Sequence, residues 1–326
     1  MGRGARILLA AGLALAVGLT SLLAGGAVWG GFSSKNAFSA ANTITAAADF
    51  RAPTSTATAI AKTAGGVSGF IRKSGAYYVY ANVADTGNPA SGVSTVTANV
   101  STVTSGQTLA ALATGAFSVN GVSYNRRTAA LTADSTLAAG TATFSLTMID
   151  LAGNSRTDSA LTVTVDNTAP TASDIQSANG STPAGLAQIG DKITYTYSEP
   201  PEPQSILAGW TGASTSVVVR LNTATNDTAT IFNASNATQL PLGSVNLGRS
   251  DYVTANITFG ATGTASTMVL SGNQVIVTLG TQSAAATTAA ANGTMVWTPS
   301  ATATDRAGNA ASTVAATESG GNDKEF

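Results

Sequence analysis

Cysteine and histidine are both missing from the 326 residues, and charged side chains make up only 10% of them. Without cysteine no disulfide forms, and no thiolate binds zinc or an iron–sulfur cluster. Without histidine, imidazole ligation and any Ser-His-Asp or Cys-His nucleophile are excluded as well. The 15 basic and 16 acidic residues leave a formal net charge of −1, with no basic footprint for nucleic acid. Bulky core residues are scarce, with 9 Phe, 7 Tyr, 3 Trp and 4 Met, which suits thin two-layer sandwiches better than one thick mixed core. No body segment sustains a 3.6-residue period, so helices are not expected there. What the chain has instead is threonine, 50 of them, with abundant Ala, Ser, Gly and Asn. The length suggests about two domains.

Met1 to Arg6 carries two arginines and no acid, and Ile7 to Trp29 then runs without a charge. A basic flank before an apolar stretch is the pattern of a secretion signal. The stretch is also long enough to span a bilayer as an uncleaved anchor, so extracellular release and membrane anchoring both stay open. Residues 1–31 read as signal peptide or anchor helix, and 32–54 as an extended linker.

The body alternates. Tyr77, Val79, Ala81 and Val83 share one face of a strand, with Tyr78 and Tyr80 on the other; Phe144, Leu146 and Met148 share a face of a later one. Short β-rich runs separated by turn signals predict a β-sandwich over 55–166 and a larger one over 167–318. An internal repeat supports two units. Asp150-Leu-Ala-Gly-Asn154 recurs as Asp305-Arg-Ala-Gly-Asn309, each time at the end of an alternating run. The 155-residue offset exceeds one sandwich, which predicts insertions at 199–212 and 240–264. The Ala/Thr tract 282–292 reads as a mobile loop and 319–326 as a flexible tail.

Two resemblances follow from these residues. Gly25-Gly-Ala-Val-Trp-Gly-Gly-Phe32, followed by Phe38-Ser-Ala40, resembles the export region of TasA and camelysin biofilm-matrix proteins, and implies cleavage near Gly30 or Gly31. The Asp-x-Ala-Gly-Asn turns, with Val165-Asp-Asn-Thr-Ala-Pro170 after the first, resemble tandem bacterial immunoglobulin-like domains of surface proteins. The fold class this implies is all-β, two immunoglobulin-like sandwiches behind an N-terminal hydrophobic helix. The function it implies is that of an exported bacterial cell-surface or extracellular-matrix protein of structural or adhesive type.

Asp85, Asp150, Asp166 and Asn167 are candidate ligands for an interdomain calcium ion, since hard oxygens gather in these turns and Asp166-Asn167 resembles cadherin-type linkers. The competing reading is that Asp and Asn cap their own tight turns. Apart from calcium no cofactor is expected. Glu199 and Glu202 read as solvated loop charges, because a pair three apart has no glycosidase geometry. Arg126-Arg127 and Arg72-Lys73 read as solvated basic pairs. Trp210 is either a sugar-stacking platform or a packing residue closing its loop. No catalytic constellation appears, so the chain is expected not to be an enzyme. Its partners are expected to be other surface or matrix proteins, or further copies of itself paired through strand edges, with residues 32–44 as a candidate donor strand. A secreted module binding glycans or another ligand through loops of the second domain is the alternative.

Overall fold

The computed structural model describes residues 49–180, 182–320 and 324–326. The expected export segment, Gly30, Gly31 and the candidate donor strand lie outside the described residues. Among the described residues no helix is long and apolar enough to cross a membrane.

Alternation makes the first module. Its strands are β1 (Thr54–Lys62), β2 (Phe70–Ile71), β3 (Ala76–Ala84), β4 (Val93–Asn99), β5 (Ala110–Val119), β6 (Val122–Thr128), β7 (Leu131–Thr132), β8 (Gly140–Asp150) and β9 (Ser155–Val165). They are hydrogen-bonded in the order β1-β3-β6-β5-β4-β8-β9-β2, with β7 on β3. β5 turns the corner: Ala110 and Ala111 pair with β4, while Leu112 onward pairs with β6. The path therefore folds into two facing layers. Tyr77, Val79, Ala81 and Val83 point inward against Val96, Leu146 and Met148, as the alternation predicts. Tyr78 and Tyr80 take the outer face, where Tyr80 packs on Tyr124 at 5.4 Å. Arg127 lies there too, over the rings of Tyr78 and Phe117 at 4.1 and 4.4 Å. That corrects the reading of Arg126-Arg127 as a solvated pair: both are half-buried, Arg127 because aromatics on the same sheet face cover its stem, while Arg126 donates to the Thr114 hydroxyl. Arg72 and Lys73 are exposed.

The second module holds β10 (Ala172–Ala178), β11 (Lys192–Tyr197), a single helical turn α1 (Pro203–Ile206), β12 (Thr215–Asn222), β13 (Thr228–Asn233), β14 (Ser244–Asn246), β15 (Ile257–Phe259), β16 (Ser266–Ser271), β17 (Gln274–Thr278), β18 (Val296–Thr298) and β19 (Ala316–Thr317). The order is β10-β11-β17-β16-β12-β13-β14-β18-β19, with β15 on β12. Trp297 is its central side chain. Tyr195 and Tyr197 meet its indole edge-on at 5.2 and 4.8 Å, and its Nε1 donates to the Leu242 carbonyl at 2.6 Å. The chain must run close past β18 to offer that carbonyl. Gly243 allows it, at φ +84°, where a Cβ would overlap the Thr298 carbonyl.

Three expectations change here. The alternating run expected to lead into Asp305 breaks after Thr298 because Pro299 has no N–H for the ladder; before Asp305 pairing resumes only as a bridge from Thr304 to Ala310. The Ala/Thr tract is docked rather than loose. Ala289 is buried and its N–H donates to the Gly185 carbonyl, while the Ala290 N–H donates to Asp251 Oδ2. Small alanines can be buried without the polar cost that loop composition usually signals. The tail is anchored at its described end: Phe326 is 1% exposed and meets Tyr252 edge-on, with its carbonyl accepting from the Gly185 N–H. One aromatic outweighs the polar residues before it.

Replacing Trp297 by Ala removes the centre of the second core and one buried hydrogen bond. It should cost about 3–5 kcal/mol, read as a lower midpoint in denaturant unfolding.

Candidate functional site

Each Asp-x-Ala-Gly-Asn segment folds into the same hydrogen-bonded turn. Asp150 Oδ1 accepts the Asn154 N–H at 2.7 Å, and Oδ2 accepts Asn154 Nδ2 at 2.7 Å. Asp305 does the same with Asn309, at 2.8 and 2.7 Å, and also takes the Gly308 N–H. The asparagine amide has a second hydrogen, which reaches the chain entering the module. Asn154 Nδ2 donates to the Asp49 carbonyl at 3.2 Å, and Asn309 Nδ2 to the Asp166 carbonyl at 2.9 Å. The entering residue is thereby held beside the turn, and in both modules it is an aspartate.

A third acid completes each end. Asp85 directly follows β3, and Glu199 stands two residues after β11. Asp49, Asp85 and Asp150 form one trio and Asp166, Glu199 and Asp305 the other; in each, one carboxylate oxygen per residue lies within 4.8 Å of the others. The four residues singled out as calcium ligands are thus divided. Asp85 and Asp150 share a trio at the entry end of the first module, away from the second, because β3 and β8 both run toward that end. Asp166 belongs to the trio between the modules. Asn167 joins neither: its Oδ1 accepts the Lys73 N–H at 2.8 Å and its Nδ2 donates to the Leu137 carbonyl. Asp49 and Glu199 carry no metal signal in the sequence, because their partners, Asp85 and Asp150 for one and Asp166 and Asp305 for the other, are far from them along the chain.

The two trios differ electrostatically. Asp49 accepts the backbone N–H groups of Arg51 and Ser91 and the Ser91 hydroxyl, and these bonds hold its carboxyl down at about 2. Asp85 takes the N–H groups of Gly87 and Gly92. Protein donors therefore already satisfy carboxylate oxygens of the entry trio. In the second trio, burial pushes Glu199 up to about 7, aided by a hydrogen bond with Asp166 and the negative charge of Asp166 and Asp305. Burial also raises Asp305, against the pull of its turn hydrogen bonds. Glu199 Oε1 is buried and has no hydrogen-bond partner. A hard cation would satisfy that oxygen and replace the proton, so the second trio fits calcium better than the first.

Glu199 and Glu202 are not solvated loop charges. Glu199 is partly buried, and Glu202 is 2% exposed and paired with Lys62 from the first module at 2.6 Å. Sequence spacing could not show this, since the partner lies 140 positions back. Trp210 is buried and its Nε1 donates to the Ala213 carbonyl at 2.6 Å. It lines a shallow cleft of about 270 Å³ with Leu207, Ala213 and Thr215, small for an organic ligand and without a charged side chain. Arg306, in the second turn, lies 5.7 Å from the ring of Phe70 in the first module.

No protein-family model matches the chain, and no curated protein matches it.

Glu199 carries a pH dependence whose sign follows from its raised value. Its carboxyl binds a proton more tightly in the folded state than at the ordinary value of 4.5, so the stability it contributes is complete below 4.5 and is lost as pH rises through about 7. In chelator-treated protein, denaturant unfolding should show stability falling from about pH 5 to about pH 8. Glu199→Gln should flatten that slope.

Proposed function

We propose that the chain is an exported bacterial cell-surface or extracellular-matrix protein of structural or adhesive type, built from two immunoglobulin-like sandwiches and not an enzyme. The observation that carries this reading is the end of a sandwich made twice: the same turn, the same asparagine tie to the incoming chain and the same trio of acids. Repetition of the same module end along one chain is the construction of a modular spacer. In the first module, β1-β3-β6-β5 on one layer and β4-β8-β9 on the other correspond to the A-B-E-D and C-F-G order of the immunoglobulin sandwich. The second module departs from it, with β13 and β14 standing between β12 and β18 where β4 and β8 pair directly. The apolar stretch Ile7 to Trp29 supports export, with the remainder outside the membrane.

In this reading Asp166, Glu199 and Asp305 hold a calcium ion between the modules, and the cation stiffens the pair by neutralising three carboxylates at one point. Burial of Trp210, with its N–H already spent, argues against its use as a glycan platform.

Protease added to intact cells that make the protein should degrade the chain without lysis, and mass spectrometry of the native N-terminus should find a start near Gly30 or Gly31. A chain protected inside intact cells would overturn the assignment. Millimolar calcium should raise the melting temperature, and Asp305→Asn should abolish that rise. Glycan-array binding that disappears in Trp210→Ala would favour the carbohydrate-binding alternative.

A further inference from the structure

Two sandwiches joined by a short linker are expected to swing about it unless their interface prevents motion. Here a side chain of one module enters the other. Lys62, the last residue of β1, places its Nζ 2.6 Å from Glu202 Oε2 and 2.8 Å from the Arg306 carbonyl. The Val67 N–H donates to the same Glu202 oxygen at 2.9 Å. Side-chain exposures of 11% for Lys62 and 3% for Glu202 show that the pair is shielded from water. Between Lys62 and Val67, Gly65 and Gly66 adopt φ +79° and +87°, a path that turns the loop around the incoming carboxylate. At Gly66 a Cβ would overlap that carboxylate. The loop of the first module is therefore shaped as a socket, and Glu202 of the second module is its plug.

From the second module's side, Glu202 is held just as firmly. It caps α1, accepting the Gln204 N–H, and its own N–H donates to the Thr304 carbonyl beside the Asp305 turn. Around the socket the Lys73 N–H donates to Asn167, and the Ser312 N–H to the Pro170 carbonyl, so the linker is fastened to both bodies. The plug is not part of the repeated pattern. Three residues after Asp85 in the first module stands Asn88, where three after Glu199 stands Glu202.

We infer that the Lys62–Gly66–Val67 socket and Glu202 form a lock that fixes the two modules at one angle, making them a single rigid unit. A buried ion pair contributes little net stability over an apolar contact, but removing one partner leaves a charge stranded, so it selects one arrangement strongly. The inference rests on the structural reading above and gives it a mechanical element: a protein spanning a fixed distance outside the cell. The lock needs no cation, which separates it from the proposed calcium site.

The absence of cysteine permits a direct test. Leu109→Cys and Ile189→Cys lie one in each module, at positions 75% and 47% exposed, and accept spin labels. In the full chain, solubilised in detergent with chelator present, electron–electron resonance should give one narrow distance peak. Glu202→Gln keeps the side-chain shape and loses the charge; Gly66→Ala fills the socket. Each should cost the single peak and spread the distances, while the far-ultraviolet circular dichroism of both sandwiches is retained. A broad distribution in the parent chain, or a narrow one surviving in both variants, overturns the lock. Neither result bears on whether the chain reaches the cell surface, which the protease experiment decides separately.

Discussion

The carboxylate at the start of each Asp-x-Ala-Gly-Asn turn is the constraint on which the rest of the molecule depends. It collects the backbone N–H and the side-chain amide of its own asparagine. That leaves the amide's other hydrogen free to tie down the chain entering the sandwich. The same asparagine thus fixes the chain where it enters each sandwich, at Asp49 and at Asp166, and brings that acid to the end of its module. A buried carboxylate is costly unless hydrogen bonds surround it, and at these turns the backbone supplies them at no conformational expense beyond the turn itself.

Identical scaffolding leads to different chemistry at the two ends. At the entry end, backbone N–H groups from 51, 87, 91 and 92 surround Asp49 and Asp85, and the trio is settled as it stands. Between the modules the second sandwich has a glutamate where the first has an aspartate. Its longer side chain reaches Asp166 but not enough donors, and one oxygen stays unsatisfied. The difference between a finished turn and a candidate cation site is thus one methylene and the loss of a few N–H groups.

The two cores solve the shortage of large residues in different ways. The first spreads small and medium side chains between its layers and puts its spare aromatics outside, around Arg127. The second gathers Tyr195, Tyr197 and Trp297 at one point and lets the insertions, the Ala/Thr tract and Phe326 close over the rest. Its strand order pays for this with extra strands between β12 and β18, which take it away from the simpler arrangement of the first module.

Local chemistry made much of this legible in advance. Alternation placed Tyr77, Val79, Ala81 and Val83 inward and Tyr78 and Tyr80 outward, because strand side chains alternate whatever the fold. The repeated pentapeptide announced two equivalent turns, because the aspartate–asparagine bonds that shape each turn lie within five residues. What the sequence alone could not determine was every partnership across long separations: Asp49 with Asp150, Asp166 with Glu199 and Asp305, Lys62 with Glu202. Glu199 and Glu202, three residues apart in a proline-rich loop, were indistinguishable as letters. Tertiary structure turned one toward two other acids and the other into a socket with a lysine. The environment of a charge is set by what the fold brings near it, and that is a property of the packed chain rather than of its neighbours in sequence.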